Sequence, residues 1–250
     1  FAIWDGAAKK LVVARGPYGI KPLYWASDGR YFRFASQVKA LEAGGAVSME
    51  VDPAGLTGFL LWGSVPEPLT IRKSVRSIPA GHSLVVEGGR VRECVPFHRL
   101  SIARDSSGPS VPEALADTVR AHLVADVPVG IFLSAGLDSS LIAALAVRDL
   151  PSPPVTLTVT FDEFRGTPRD EGPLAAETAR ALGTRHIERR VPRGEIERLW
   201  PECLDAMDQP SVDGFNTYLV SKAAHEAGLK VVLSGLGGDE LFGGYDTFRG

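Results

Sequence analysis

Hydrophobic and polar positions follow two different periods along this chain. Over the first hundred residues, short apolar stretches are broken by turn residues. Phe1–Asp5 and Lys10–Arg15 read as strands. Leu23–Trp25 and Tyr31–Ala35 flank the turn Ser27-Asp28-Gly29, and Ser83–Glu87 and Arg90–Cys94 flank Gly88-Gly89, a hairpin signal. Two short helices, near Gln37–Leu41 and over Pro53–Trp62, interrupt the strands; Pro53 suits a first helical turn and Asp52 its cap. From Pro112 the period changes. Leu115, Val119 and Leu123 share one face of a helix over Pro112–Val124. Val127–Leu133 is a nearly continuous apolar run, as a strand covered on both faces requires. A helix over Ser139–Arg148, apolar almost all round, is expected to be buried. Val155–Phe161 predicts a strand, Leu174–Leu182 a helix ended by Gly183, and His186–Val191 a short strand. Asn216–Ala227 predicts a helix ended by Gly228, and Lys230–Leu233 a last strand. Strands alternating with helices predict an α/β fold, a doubly wound parallel sheet, preceded by a β-rich region. The polar stretch Ser101–Ser110 marks the join, giving domains at 1–100 and 112–250 with a linker at 101–111.

Composition narrows the function classes. Of 250 residues, 44% are hydrophobic and 23% charged, and the net charge is −3. This is an ordinary globular balance that points to no nucleic-acid partner and no membrane. No apolar run reaches the length of a membrane span. Two cysteines, Cys94 and Cys203, stand far apart without metal-ligand spacing, so a reducing cytoplasm is expected. The chain opens directly on Phe1-Ala2-Ile3-Trp4 and stops just after Gly243-Gly244-Tyr245; both ends are expected to be cut from a longer protein.

Two loops carry the candidate chemistry. In open parallel sheets ligands bind beyond the carboxyl ends of the strands. Two of the strands run into similar loops, Ser134-Ala135-Gly136-Leu137-Asp138-Ser139-Ser140 and Ser234-Gly235-Leu236-Gly237-Gly238-Asp239-Glu240. Small residues let backbone approach a ligand closely, and the first loop opens a helix whose free N–H groups form an anion site. Ser134, Ser139 and Ser140 add hydroxyls there, which suits a pyrophosphate group. The Gly-Lys-Ser/Thr signature of a Walker loop is missing. Asp138 would repel a bare phosphate; with Mg²⁺ between them the carboxylate becomes a ligand, and Asp239 can supply a second protein oxygen. Either loop alone is as readily an ordinary strand-to-helix turn. At matching ends of two strands, that bland reading loses ground.

Ser134-Ala135-Gly136-Leu137-Asp138-Ser139 resembles the S-G-G-x-D-S signature of the N-type ATP pyrophosphatases, and Val232 to Tyr245 resembles the second signature of their asparagine synthetase branch. In the first half, Gly19-Ile20-Lys21-Pro22-Leu23-Tyr24 and Phe34 to Leu41 resemble the end of that family's glutaminase domain. Ile78-Pro79-Ala80-Gly81-His82 resembles its domain join. The resemblance to the glutamine-hydrolysing (class B) asparagine synthetases runs in order along nearly the whole chain. It implies an adenine nucleotide α-hydrolase-like sheet preceded by part of an Ntn-hydrolase glutaminase domain. It also implies ATP and Mg²⁺ as cofactors, aspartate and glutamine or ammonia as small-molecule substrates, and a homodimer as the candidate assembly. The implied reaction adenylates a carboxylate, releases pyrophosphate, and lets an amine displace AMP.

Carried over residue by residue, the resemblance gives Phe132, Ser134, Gly136, Leu137, Asp138, Ser139, Val159, Ser234 and Gly235 to nucleotide binding. It gives Asp138 and Asp239 to the metal, and Asp138, Asp239 and Ser139 to catalysis. Asp208-Gln209-Pro210 and the segment Ser211–Tyr218 resemble a region near the acyl substrate. Several positions depart from the family pattern. Ala135 replaces a glycine, at little cost if its φ is below zero. Gly16 and Gln37 replace an aspartate and a glutamate in the first half. Leu236 replaces an acidic residue suited to taking a proton from the attacking amine. A ring-closing ligase of the β-lactam synthetase or lasso-peptide cyclase type, and a degenerate nucleotide-binding homologue, therefore stand beside the asparagine synthetase reading. The family's glutaminase nucleophile is an N-terminal cysteine; Phe1 is not that residue, and Cys94 and Cys203 are internal.

Overall fold

The computed structural model describes residues 1–101, 108–245 and 248, so most of the expected linker lies outside the described residues. The chain divides into two compact units, Phe1–Arg104 with Cys203–Gly214, and Asp105–Glu202 with Phe215–Gly250.

The first unit is antiparallel. β1 (Ala2–Asp5), β2 (Lys10–Ala14), β6 (His82–Glu87) and β7 (Arg90–Pro96) form one sheet in the order β1-β2-β6-β7. β3 (Tyr24–Ser27), β4 (Phe32–Ala35) and the two-residue β5 (Arg76–Ser77) form another, ordered β4-β3-β5. Period-two alternation in β6 puts Leu84 and Val86 into the core with Val13 and Ile78. Trp25 and Phe32, stacked at 5.8 Å, pack against the same cluster. α2 (Pro53–Trp62) starts where Asp52 Oδ1 accepts the Ala54 N–H at 3.0 Å, and ends at Gly63, whose φ is 74°. α1 (Val38–Ala43) is capped from far along the sequence. Both carboxylate oxygens of Asp208 accept its first N–H groups, from Val38 and Lys39, each at 2.9 Å. Gln209 Oε1 accepts the Ile71 N–H at 2.9 Å. These bonds explain why residues 203–214 group with the first unit, which no linear boundary reveals.

The second unit holds the parallel sheet expected from the alternating pattern. Its strands are β8 (Val129–Phe132), β9 (Val155–Phe161), β10 (Arg185–Val191) and β11 (Val231–Leu233), ordered β10-β9-β8-β11 and all parallel. Helices pack on both faces. α3 (Val111–His122), α4 (Leu137–Asp149) and α5 (Gly172–Leu182) bury Val119, Ala143, Ala146, Ala175 and Ala179 with Ile131 and Leu133. On the other face α7 (Gly214–Glu226) buries Ala223 and Ala224 against Leu157. β9 also carries Thr156, Thr158 and Thr160, all buried. Each hydroxyl is used. Thr158 donates to the Leu133 carbonyl, Thr160 donates to Glu188 at 2.8 Å, and Thr156 bonds Thr184 at 2.8 Å. A buried polar group so satisfied is tolerated.

Three elements differ from expectation. α4 is not buried all round: Ser139, Ala143 and Ala146 are buried, whereas Leu141 is 45% exposed. Alanine and leucine repeat around the helix, but the sheet covers only one side of it. α6 (Glu195–Ala206) has no counterpart in the sequence expectations. Pro201 in its interior removes a backbone donor and argues against a helix. Yet Ile196, Leu199, Trp200 and Cys203 fall at helical spacing, and Leu199 and Cys203 are buried. α8 (Gly238–Phe242) coils within the second candidate loop.

His186, on β10, gives the fold a pH dependence. Its Nδ1 lies 3.0 Å from Thr156 Oγ1, and its Nε2 is buried without a hydrogen-bond partner among the described residues. Burial lowers its pKa, against a smaller opposing pull from Glu188. A histidine depressed in the folded state contributes stability above its unfolded pKa and loses it as the pH falls through the folded value. Thermal unfolding should therefore shift downward between about pH 7 and pH 5, more in the wild type than in His186→Phe. Equal slopes in the two melting series would remove His186 as the cause.

Candidate functional site

Parallel pairing of β8 with both β9 and β11 brings the carboxyl ends of all three strands to one edge. β9 and β11 flank β8 on opposite sides, so the crevice between β8 and β11 is the switch point of the sheet, where open α/β folds bind ligands. A cavity of about 820 Å³ lies there, within the second unit. Phe132 lines it from β8, Ser134, Gly136, Leu137, Asp138 and Ser139 from the first loop and the start of α4, Ser234, Gly235 and Asp239 from the second loop, and Val159 from β9. The residues given to nucleotide binding, the metal and catalysis thus all line one cavity, whereas Ser140 does not.

The first loop is held by its own hydroxyls. Ser139 is 7% exposed. Its Oγ accepts the Ser134 N–H at 3.1 Å, lies 2.9 Å from Ser134 Oγ, and reaches the Gly136 carbonyl at 3.2 Å. Ser134 Oγ accepts the Gly136 N–H at 3.1 Å, and Ser140 Oγ donates to the Gly136 carbonyl at 2.8 Å. These hydroxyls shape the loop rather than standing free at its mouth. The helix terminus is the open donor: Gly136 precedes α4 as its N-cap and offers no side-chain cap, unlike Asp52 before α2. Its N–H groups and dipole favour an anion in the cavity. Ala135 does not have positive φ, so alanine carries no backbone penalty there.

Glycines let the second loop close on the carboxylates. A methyl group on Gly238 would lie 2.2 Å from Asp138 Oδ2, and one on Gly235 would lie 3.2 Å from Asp138 Cβ and from the Ser139 nitrogen. Asp138 is therefore sandwiched against the backbone that leads into Asp239. A methyl on Gly244 would meet Asp239 Oδ1 at 1.9 Å. Gly237, with φ 98°, turns the chain into α8. Leu236 is 93% exposed at the rim.

The donor set fits Mg²⁺. Asp138 and Asp239 face the same cavity, and the described residues contain no cluster of three His, Cys, Asp or Glu side chains that could complete a protein-only site. Two carboxylates with phosphate oxygens and water suit a small hard cation; a structural zinc centre needs four protein ligands.

A third wall was not legible in the sequence. The 3₁₀ turn Asp162–Phe164 and the segment after it contribute Phe164, Arg169, Asp170 and Glu171. No motif marks them; only their place after a strand that neighbours β8 could have drawn attention to them. From α7 come Asn216 and Val220. Asn216 belongs to the stretch expected near the acyl substrate, whereas Asp208 and Gln209 serve the first unit.

An uncapped helix terminus, two carboxylates and two loops of small residues meet at the switch point of a parallel sheet, which defines an α/β protein with a candidate anion site there. The chain belongs to the asparagine synthase family: the model of that family matches residues 110–250, and the model of a glutamine amidotransferase domain matches residues 1–97. A putative glutamine-hydrolysing asparagine synthetase of Mycobacterium tuberculosis is 36% identical over 100% of this chain, and glutamine-hydrolysing asparagine synthetase 1 of Bacillus subtilis 33%. Amidase chry2 of Gibberella zeae is 31% identical over the same span. The chain spans 40% of the length of each of these curated relatives. Among the described residues no helix is long and apolar enough to cross a membrane.

Proposed function

We propose that the full-length protein is an ATP-dependent, glutamine-hydrolysing asparagine synthetase that adenylates the side-chain carboxylate of aspartate and transfers ammonia to it, releasing AMP and pyrophosphate. Residues 1–100 serve as part of the glutaminase domain and residues 112–250 as part of the ATP-pyrophosphatase domain, in a cytoplasmic enzyme for which a homodimer is the candidate assembly. The observation that carries the reading is the convergence of Asp138, Asp239 and the open end of α4 on one cavity.

In this reading the α4 N–H groups orient the phosphate chain, and Ser139 and Ser134 hold the loop that presents them. Asp138 and Asp239 would hold Mg²⁺, which would supply positive charge to offset that of a departing pyrophosphate. Val159 and Phe132 offer apolar surface to the nucleotide, and the β11 loop faces the acyl group. Walls that exclude water protect the acyl-adenylate from hydrolysis. The test is ATP–pyrophosphate exchange by the full-length protein. Exchange driven by aspartate supports the reading; exchange driven only by another acid assigns a different ligase; nucleotide binding without exchange assigns a degenerate homologue.

Leu236 favours one second reading, a ligase whose amine lies on its own substrate. An apolar side chain on the rim offers no proton acceptor to ammonia and accommodates a bulkier amine. If ammonia is the amine, Leu236→Glu should raise ammonia-dependent amidation about tenfold, a fraction of what a well-placed general base supplies. A wild type that already makes asparagine quickly, with no gain in the variant, would show that position 236 does not limit proton removal.

A further inference from the structure

Arg169 stands apart from the other arginines around the sheet. Among the described residues it is the one cationic side chain that lines the cavity, whose other charged side chains are Asp138, Asp170, Glu171 and Asp239. Those neighbours would be expected to pair with it. They do not: the guanidinium makes no ion pair with any described residue, and lies 6.0 Å from the centroid of the Phe164 ring.

The local structure explains why. Asp170, adjacent in sequence, is already occupied. Its Oδ1 accepts the Gly172 N–H at 3.3 Å and lies 3.6 Å from Arg190 Nη2, while its Oδ2 accepts the Gly166 N–H at 3.3 Å. Glu163 lies 3.6 Å from Arg193. The loop itself is fixed: Thr167 Oγ1 accepts the Arg169 N–H at 3.2 Å and donates to the Phe164 carbonyl at 2.7 Å. Phe164 in turn packs edge-on against Phe161, at the end of β9. An arginine with its neighbouring carboxylate consumed, its backbone tied down and an aromatic ring behind it is a presented cation.

We propose that Arg169 is a phosphate-recognising residue of this cavity, its guanidinium binding the phosphate chain of the nucleotide. The inference rests on the adenylation reading and adds a residue to it. Charge favours phosphate over the acyl carboxylate. The nucleotide brings a multiply charged phosphate chain into a cavity already lined by four carboxylates, and a planar guanidinium matches two phosphate oxygens at once. Residues on β8, β9 and β11 would then meet the ligand from three sides.

Equilibrium titration of the full-length protein tests this without reference to turnover. MgATP, adenosine and aspartate would be titrated into the wild type, Arg169→Ala and Arg169→Lys, with melting curves to confirm folding. The expected result is MgATP binding weakened about tenfold or more in Arg169→Ala, partly restored in Arg169→Lys, with adenosine and aspartate unchanged. The weakening should shrink as salt is raised. Undiminished MgATP binding in Arg169→Ala overturns the proposal and leaves adenylation standing. An equal loss for adenosine, or a loss for aspartate alone, also overturns it, in favour of base stacking or carboxylate recognition. No MgATP binding by the wild type sinks both.

Discussion

Asp138→Asn should lower ATP–pyrophosphate exchange by the full-length protein about 10³-fold while leaving its thermal unfolding nearly unchanged. Asparagine keeps the shape of the side chain and removes its charge. Asp138 sits on the cavity wall, pressed against the Gly235 and Gly238 backbone, and is not part of either hydrophobic cluster of the second unit. A neutral amide is a weaker ligand for Mg²⁺, so the departing pyrophosphate would lose much of its electrostatic stabilisation. The stability change should stay within about 0.5 kcal/mol, as for a substitution outside the core. Exchange at the wild-type rate in this variant would remove Asp138 from the chemistry. A large drop in melting temperature would recast it as a structural residue.

Gly238→Ala separates activity from stability in a second way. Gly238 is the first residue of α8 and does not have positive φ, so alanine suits its backbone. The new methyl, however, would stand 2.2 Å from Asp138 Oδ2 and 2.6 Å from its Cγ. Backbone on that side is held by the Gly238 N–H to the Gly235 carbonyl, 3.1 Å, so the carboxylate is the group that yields. Swinging it aside would misplace the proposed metal ligand by roughly an ångström, which costs about 10²-fold. The expected variant is folded, no less stable, and about 10²-fold slower in exchange. Gly235→Ala, whose methyl would meet Asp138 Cβ at 3.2 Å, should be milder. A Gly238→Ala protein that unfolds early, or exchanges normally, contradicts the packing of Asp138 between the loops.

The parallel sheet was legible because its strands and helices keep distinct periods, and because glycines close α5 and the helix before β11. The nominated residues came together because strand ends and loop chemistry fix their place once the sheet is parallel. What stayed hidden has physical causes. Pro201 masks α6, although the apolar stripe around it is regular. The capping of α1 by Asp208 joins residues 170 positions apart, and no local pattern encodes so distant a hydrogen bond. Ser139 reads as a ligand donor in sequence, yet its hydroxyl is spent on Ser134 and Gly136. The wall bearing Arg169 has no motif, since its shape comes from hydrogen bonds around Thr167 and Asp170 rather than from a repeated spacing.

The most direct test of adenylation follows oxygen. The full-length protein would be supplied with ATP, ammonium or glutamine, and aspartate labelled with ¹⁸O in its side-chain carboxylate. Attack of that carboxylate on the α phosphate, followed by displacement by the amine, leaves one labelled oxygen on AMP. Labelled AMP in equal amount to the amide formed is the predicted result; unlabelled AMP, or ADP and phosphate in its place, would contradict it.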